Sequence, residues 1–253
     1  MKRINNLTAS MLLAFVISVV GCEPYQPPTP GGSAAATSQM QAPLQVSATP
    51  PAAVFAPSET EFIVMIVIDL SGSFAHHMAD DGKAYEFALR IYDRYFRDRI
   101  GNSKDELILA QLSGTHRSLL WRGSPIELRH KFATAEDFKE FLLANANPNG
   151  SVIHDGIAHA LEYMNSDPAL TNNNAKSAVF VLSDLLDNGL NPEQSGPRVS
   201  KALAEYASKN GVVGMYYVDQ ELVLPWRQTL QAARLPDFRV DCNIDDNPDL
   251  PSF

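Results

Sequence analysis

Two stretches of consecutive apolar residues stand out along the chain, and each ends in an aspartate. The first reads FIVMIVID over Phe62–Asp69, and the second reads SAVFVLSD over Ser177–Asp184. Uninterrupted apolar runs of this length, rich in Ile and Val, are typical of strands that are buried on both faces. Between them, Lys83–Asp98 has apolar residues at every fourth position from Phe87 onward, which predicts an amphipathic helix.

The same alternation of strands and helices continues along the chain to residue 240. Further strands are predicted at Glu106–Leu112, Ser118–Arg122, Val212–Val218 and Phe238–Val240. Further helices are predicted at Thr134–Ala144, with Thr134 as its cap, and at Ser151–Asn165, Gly196–Lys209 and Pro225–Ala233. Strands that alternate with helices of this length indicate βαβ units. We therefore predict an α/β domain over residues 60–240 with a three-layer, doubly wound, Rossmann-like and mostly parallel sheet, followed by an irregular acidic tail at 241–253.

The first 21 residues have the layout of a secretory signal, with two basic residues, an apolar stretch and Gly21 at its end. The sequence Val19-Val20-Gly21-Cys22 resembles the bacterial lipobox, which implies that Cys22 is lipidated and begins the mature chain. A plain signal peptide or an uncleaved anchor is the alternative. Residues 22–59 are then expected to be a disordered tether, since eight of the 36 residues in 23–58 are proline.

The overall charge restricts the partners that the chain can bind. There are 20 Lys and Arg residues against 29 Asp and Glu residues, a formal net charge of −9. This excess of acid argues against nucleic acid and against an unaided grip on anionic lipid, because both rest on cationic contacts. A membrane link would come from the lipid, on the periplasmic side of the inner or outer membrane of a bacterial envelope. Cys242 would then have no partner within its chain.

Oxygen-bearing side chains follow the first buried strand at alternate positions, in Asp69, Ser71 and Ser73. The second buried strand ends in Asp184. In an open parallel sheet, ligands bind outside the carboxyl ends of the strands. Hydroxyl and carboxylate oxygens are the ligands that a hard divalent cation takes, so the two strand ends predict a metal site.

These residues resemble the metal-ion-dependent adhesion site of von Willebrand factor A-type domains. Asp69-Leu70-Ser71-Gly72-Ser73 matches the family's DxSxS motif, and Ser151 in NGSVIHDGI stands where the family has a threonine before a helix. Asp184 matches the aspartate that ends a central strand, although Leu185 stands where glycine is common. The resemblance covers about residues 60–240.

The resemblance implies a bound cation, most readily Mg²⁺, with Mn²⁺ and Ca²⁺ as alternatives. Ser71, Ser73 and Ser151 would contact it through hydroxyls. Asp69 and Asp184 would act mainly through water, or one of them would bind the cation directly. The cation would keep one position for an acidic side chain of a protein partner. No nucleophile paired with a base accompanies these residues, so we do not expect an enzyme.

Other residues near these motifs have two interpretations. Asp155 is either a first-turn helix acid or a carboxylate that supports the metal loop, and His154 either packs or lines the rim of the site. Asp187 is either a solvated loop residue or an acid that holds a metal-bound water. His76 and His77 are expected at the rim, with side chains that point apart because the residues are adjacent.

Three functions remain open from the sequence. The first is a lipid-anchored domain that binds a protein partner through a divalent cation. The second is a metal-independent scaffold subunit of an envelope or secretion assembly. The third, a metal-assisted phosphatase, is disfavoured because DxSxS lacks the second aspartate that a DxD phosphatase uses.

Overall fold

A six-stranded sheet forms the centre of the domain in the computed structural model. The structure describes residues 59–72, 74–78, 84–99, 102, 104–112, 118–146, 152–172, 175–186, 192–242 and 249–252. The strands are β1 (Phe62–Ile68), β2 (Asp105–Gln111), β3 (Leu119–Gly123), β4 (Lys176–Leu182), β5 (Val212–Tyr216) and β6 (Phe238–Asp241). Their order is β3-β2-β1-β4-β5-β6, and only the β2–β3 pair is antiparallel.

Seven α-helices accompany these strands in the described residues. They are α1 (Ala84–Phe96), α2 (Pro125–Lys131), α3 (Ala135–Ala144), α4 (Ile153–Asn165), α5 (Pro168–Asn172), α6 (Pro192–Ser208) and α7 (Gln220–Ala232). Short 3₁₀ turns lie at Ala75–Met78 and Arg97–Arg99. No helix in the described parts of the chain is long and apolar enough to cross a lipid bilayer.

The sheet is covered by helices on both faces, which explains why β1 is apolar throughout. Ile63, Met65 and Val67 belong to a core shared with α4, α6 and α7. The intervening residues of β1 belong to a second core shared with α1, α2 and α3. Because successive side chains of a strand point to opposite faces, a strand between two cores must be apolar at every position. The predicted three-layer, mostly parallel α/β fold is confirmed.

Helices α2 and α3 both begin with a capping box. The start of α3 was predicted from its cap, whereas α2 was missed. Thr134 caps α3 as predicted, since its hydroxyl accepts from Asp137 N and the Asp137 carboxylate accepts from Thr134 N. Ser124 and Glu127 form the same reciprocal capping box at the start of α2. That Ser-x-x-Glu pattern was visible in the sequence, but α2 was not predicted.

Two predicted helices begin too late. The predicted starts are Gly196 and Pro225, but α6 begins at Pro192 and α7 at Gln220. Proline is favoured in the first turn of a helix and disfavoured in its interior, so local preference alone would place each start at or just before a proline. Both Pro197 and Pro225 lie inside their helices. Helix α4 begins at Ile153, two residues after the predicted start.

The topology reverses direction between two neighbouring strands. From β1 the chain builds outward through β2 to β3, and then returns to place β4 on the other side of β1. The carboxyl ends of β1 and β4 therefore flank the point where the strand order reverses. A crevice for ligands opens at this point in doubly wound sheets.

Candidate functional site

The register between β1 and β4 brings the two strand-terminal motifs together. Ile68 pairs with Leu182, and Asp69 N donates to Leu182 O at 2.9 Å. The next residues, Asp69 and Ser183, therefore leave the sheet side by side. These residues lie 114 positions apart in the sequence, so their proximity depends on the strand order.

Asp69 is fully buried, and two donors fix its carboxylate. Ser71 N donates to Oδ1 at 2.9 Å, and the Ser183 hydroxyl donates to Oδ2 at 2.8 Å. The Ser183 hydroxyl in turn accepts from Leu185 N at 2.9 Å. Since each carboxylate oxygen has further lone pairs, Asp69 is held in one orientation and can still accept from a metal-bound water.

Asp184 is half-buried beside Asp69, and its charge is poorly compensated by its surroundings. Burial raises its pKa above the usual range of an aspartate, and the negative charges of Asp69 and Asp219 raise it further. Leu186 N, which donates to Oδ1 at 3.0 Å, and the nearby His76 act in the opposite direction. A carboxylate in such surroundings would be stabilised by a cation.

The predicted metal ligands are brought together as far as the structure describes them. Asp69, Ser71 and Asp184 meet at the carboxyl edge, with Ser71 almost fully buried. Ser73 and Ser151 lie outside the described residues, as do Asp187 and Cys22.

The donor set at this edge fits a hard divalent cation. Carboxylate and hydroxyl oxygens are the ligands that Mg²⁺ takes, and Mg²⁺ usually keeps several waters. Among the described residues, no three His, Cys, Asp or Glu side chains are grouped so as to hold a metal ion. The predicted set contains two carboxylates and three serines, so it would not form such a group even when complete.

Asp155 and His154 make their described contacts away from Asp69 and Asp184. Asp155 pairs with Arg198 of α6 at 3.5 Å, and the same guanidinium binds Glu162 at 2.6 Å. The His154 ring stacks on Trp226 of α7, with the ring centroids 5.4 Å apart. These contacts join α4 to its neighbouring helices.

Two histidines and Tyr217 lie near this edge. The rings of His76 and His77 have centroids 3.8 Å apart, so the expectation that they point apart is wrong. His77 packs against Phe74 and Tyr217, and this burial, together with the adjacent His76, lowers its pKa below the usual range. His76 is exposed and close enough to Asp184 to influence its charge.

Leu185, where the related motif has glycine, adopts the left-handed backbone conformation with a φ of 60°. This region favours glycine because a Cβ crowds the backbone. The Leu185 side chain is nonetheless only 1% exposed and belongs to the core beneath α4, α6 and α7. Leu185 therefore adopts the backbone conformation that suits glycine and adds a buried side chain to the core.

Ser183 is the residue at this site that the sequence analysis missed. Its hydroxyl links the loop after β1 to the loop after β4 by bonding both Asp69 and Leu185 N. The signal was a polar residue at the end of an apolar run, directly before the strand-terminal aspartate. Its partner could not be inferred without the β1–β4 pairing.

Several solved structures align with part of this chain. The pilus adhesin SpaC from Lactobacillus rhamnosus GG, in its open conformation, aligns with 74% of this chain at 12% identity and a TM-score of 0.49. The chain spans 28% of that adhesin. The N-terminal domain of TFIIH p34 aligns with 75% of this chain and 94% of its own length, at 12% identity and a TM-score of 0.43. No protein-family model and no curated protein matches the chain.

Proposed function

We propose that this chain is a lipid-anchored von Willebrand A-type domain that binds a protein partner through a divalent cation. One observation carries the proposal: Asp69, Ser71 and Asp184 meet at the reversal point of the sheet. These are the described members of the DxSxS-type set, and Ser73 and Ser151 would complete it. Mg²⁺ is the expected ion, since all of these donors are oxygen.

The chain's own residues would prepare the site for binding. Ser183 and Ser71 N hold the Asp69 carboxylate, and Leu186 N holds that of Asp184. A bound dication, ligated mainly by neutral hydroxyls, would supply an attractive position for an acidic side chain of the partner. The Ser183 hydroxyl donates to the Asp69 carboxylate, but it is fully buried and also accepts from Leu185 N, so we infer a structural role for this pair and a binding site rather than a hydrolytic one.

The anchor in this proposal rests on the sequence. Lipidated Cys22 would hold the chain at a bacterial envelope membrane, on its periplasmic side, and the proline-rich segment before Glu59 would separate the domain from the bilayer. Labelling of the full chain with radioactive palmitate in its own cells tests the anchor. Label that persists in a Cys22→Ala variant would contradict it.

Thermal stability in the presence of metal tests the cation site. A ligand that binds the native state stabilises it by mass action, by about 2.7 kcal/mol at a hundredfold excess over its Kd. For a domain of this size, millimolar Mg²⁺ or Mn²⁺ is expected to raise the Tm by about 5–10 °C. Asp69→Ala should abolish the rise, whereas Asp93→Asn, which removes an exposed carboxylate on α1, should preserve it.

Partner capture tests the role of the cation. A crosslinking pull-down from the organism's own cells should recover the partner with Mg²⁺ and lose it with chelator or with Asp69→Ala. Equal recovery under all three conditions would refute cation-dependent binding.

The second candidate is a metal-independent scaffold subunit of an envelope or secretion assembly. The observation in its favour is that both Asp69 oxygens already accept hydrogen bonds from protein donors, so the Asp69 carboxylate is satisfied without a cation. A Tm that does not respond to millimolar Mg²⁺ or Mn²⁺ would favour this function over the first.

A further inference from the structure

A groove lined mainly by apolar side chains opens beside the candidate cation site. It is a cavity of about 360 Å³ between α4, α6, α7 and the loop after β4. Its described lining residues include no Asp, Glu, Lys or Arg, and the main ones are His154, Leu185, Leu186, Val199, Leu222 and Trp226. This volume lies at the lower end of the range for small-molecule pockets, so it suits one large apolar side chain.

The groove combines a buried floor with an exposed apolar rim. Trp226 is 5% exposed and stacks on His154, and Leu185 is 1% exposed. Leu186, on the rim, is 46% exposed. A single exposed leucine is ordinary on a protein surface, but Leu186 borders a preformed cavity with apolar walls, and such grooves are where ligands and partner side chains bind.

The groove and the cation site share one short segment of chain. Asp184 belongs to the candidate site, and the two residues that follow it line the groove. The backbone N–H of Leu186 holds the Asp184 carboxylate, and that of Leu185 bonds Ser183, which holds Asp69. A partner carboxylate bound to the cation would therefore place the adjacent residues of the partner over the groove.

Charge decides what kind of partner segment fits both features. Asp184 and Asp219 lie at this edge in a chain of net charge −9, so an acidic side chain would be repelled unless a cation is bound. A charged side chain would lose its hydration in the groove, whose described lining has no Asp, Glu, Lys or Arg to pair with it. The complementary segment therefore has one acidic residue and, close to it, one apolar residue.

We propose that the groove is the second half of the partner interface and takes a Leu, Met or Phe side chain from a protein segment whose neighbouring carboxylate binds the cation. This inference rests on the proposed function, because the cation selects the acidic residue. The groove adds specificity, since the cation alone would accept any accessible carboxylate.

Binding of minimal acids to the purified full-length chain tests the inference. With saturating Mg²⁺, 4-phenylbutyrate should bind roughly 30-fold more tightly than acetate, because its phenyl ring leaves water for the groove. It should also shift the indole N–H resonance of Trp226, identified with a Trp121→Phe variant, whereas acetate should not. The uncharged 4-phenylbutanol should bind more weakly than the phenyl acid.

Matched leucine variants separate the groove from general surface hydrophobicity. Leu222→Ser, which alters the α7 wall of the groove and not the Asp184 loop, should reduce the preference for the phenyl acid over acetate to below about fivefold, while acetate binding stays unchanged. Leu224→Ser, which removes a leucine that is 63% exposed and not among the described lining residues, should keep the full preference.

The possible outcomes distinguish the inference from the function on which it rests. If both acids bind equally and the backbone resonances shift on adding Mg²⁺, the role of the groove is refuted and the cation site stands. If the backbone resonances of Asp184 and Leu185 do not shift on adding Mg²⁺, both the role of the groove and the cation site are refuted. Phenylbutyrate binding that is unaffected by chelator overturns the shared interface. Mg²⁺-dependent dimerisation that phenylbutyrate abolishes would identify a second copy as the occupant and overturn the inferred separate partner.

Discussion

Leu185 combines an unfavourable backbone conformation with a favourable side-chain position. A non-glycine residue in the left-handed region loses about 1–2 kcal/mol, and Leu185 has a φ of 60°. Full burial of a leucine side chain gains about 1.5–3 kcal/mol, and Leu185 is 1% exposed. The side-chain gain is the larger of the two, which explains why leucine is tolerated at a position suited to glycine.

Leu185→Gly is therefore expected to destabilise the domain by about 1–2 kcal/mol, because the lost packing outweighs the relieved strain. Urea denaturation measures the difference. Asn210→Gly is the matched control, since Asn210 has a φ of 57° and is exposed. The control should be neutral or slightly stabilising, and a stabilised Leu185→Gly variant would show that the side chain contributes little.

Ser183→Ala should destabilise the domain by about 1–3 kcal/mol, because it removes the acceptor of buried Leu185 N and the donor to Oδ2 of Asp69. The variant should also weaken Mg²⁺ binding by about tenfold, measured by calorimetry. Ser177→Ala is the control, since Ser177 lies near the start of β4, at the other end of the strand from Ser183, and its buried hydroxyl interacts with Tyr206, so Mg²⁺ affinity should not change. An unchanged Mg²⁺ affinity in Ser183→Ala would exclude a positioning role.

The two aspartates of the candidate site could be predicted from the sequence, and the hydrogen bonds that orient them could not. Asp69 and Asp184 are visible because each ends an apolar run. The Ser183–Asp69 bond depends on which strand lies next to β1, and the sequence pattern does not specify strand order. The conformation of Leu185 was indicated only indirectly, through the glycine that the resemblance expects there.

At the scale of elements, apolar periodicity predicted the strands and the longer helices, because burial on a fixed face imposes that period. It did not predict α2 and α5, which have seven and five residues, because one or two turns are too short to show a period. The predicted starts of α6 and α7 were wrong, and each of these helices has a proline in its interior. Tertiary packing of the apolar face outweighs the local penalty of those prolines.

Helix α4 lies unusually close to the sheet at Gly156. A Cβ at this position would lie 2.8 Å from Leu112 Cδ2 and 3.3 Å from the Leu112 Cα and carbonyl oxygen. Leu112 directly follows β2 and is buried. The start of α4, two residues after Ser151 in the sequence, is therefore positioned by the absence of a side chain at Gly156.

Gly156→Ala should destabilise the domain by up to about 2 kcal/mol, although alanine favours a helix by about 1 kcal/mol over glycine. The clash should also displace the start of α4 and lower Mg²⁺ affinity. Gly196→Ala in α6 is the control, because its Cβ would meet nothing within 4 Å, and it should be stabilising. Thermal unfolding with and without Mg²⁺ measures both effects, and equal behaviour of the two variants would refute the close approach.

At the scale of the whole molecule, the two cores bury tyrosines whose ionisation opposes folding. Burial raises the pKa of Tyr206 and of Tyr216 well above the ordinary value of 10.0. A raised folded-state pKa contributes stability that is complete below pH 10 and is lost as the pH rises, since only the unfolded chain then releases its protons. The domain is therefore expected to unfold progressively in alkali.

Tyr206→Phe tests this expectation at a fully buried position. The variant should match the parent protein within about 1 kcal/mol at pH 8 and gain about 1.4 kcal/mol relative to it at pH 11, the linkage value for one tyrosine. Urea denaturation at both pH values measures the change. Tyr85→Phe, at a partly exposed tyrosine, should gain less, and a Tyr206→Phe difference that does not vary with pH would contradict the argument.

The last described residues of the chain determine how the domain could be mounted on a surface. Ser252 N donates to the carboxylate of Asp237 at 2.9 Å, and Asp237 lies just before β6. The Tyr95 hydroxyl donates to Pro251 O, and the Tyr95 ring contacts Phe62 at the start of β1. Glu59 also lies just before β1, so both described ends of the chain lie near the amino edge of the sheet. The seven residues of β1 span about 20 Å to the opposite edge. A sensor chip coupled through either end would therefore leave the Asp69–Asp184 edge facing the sample.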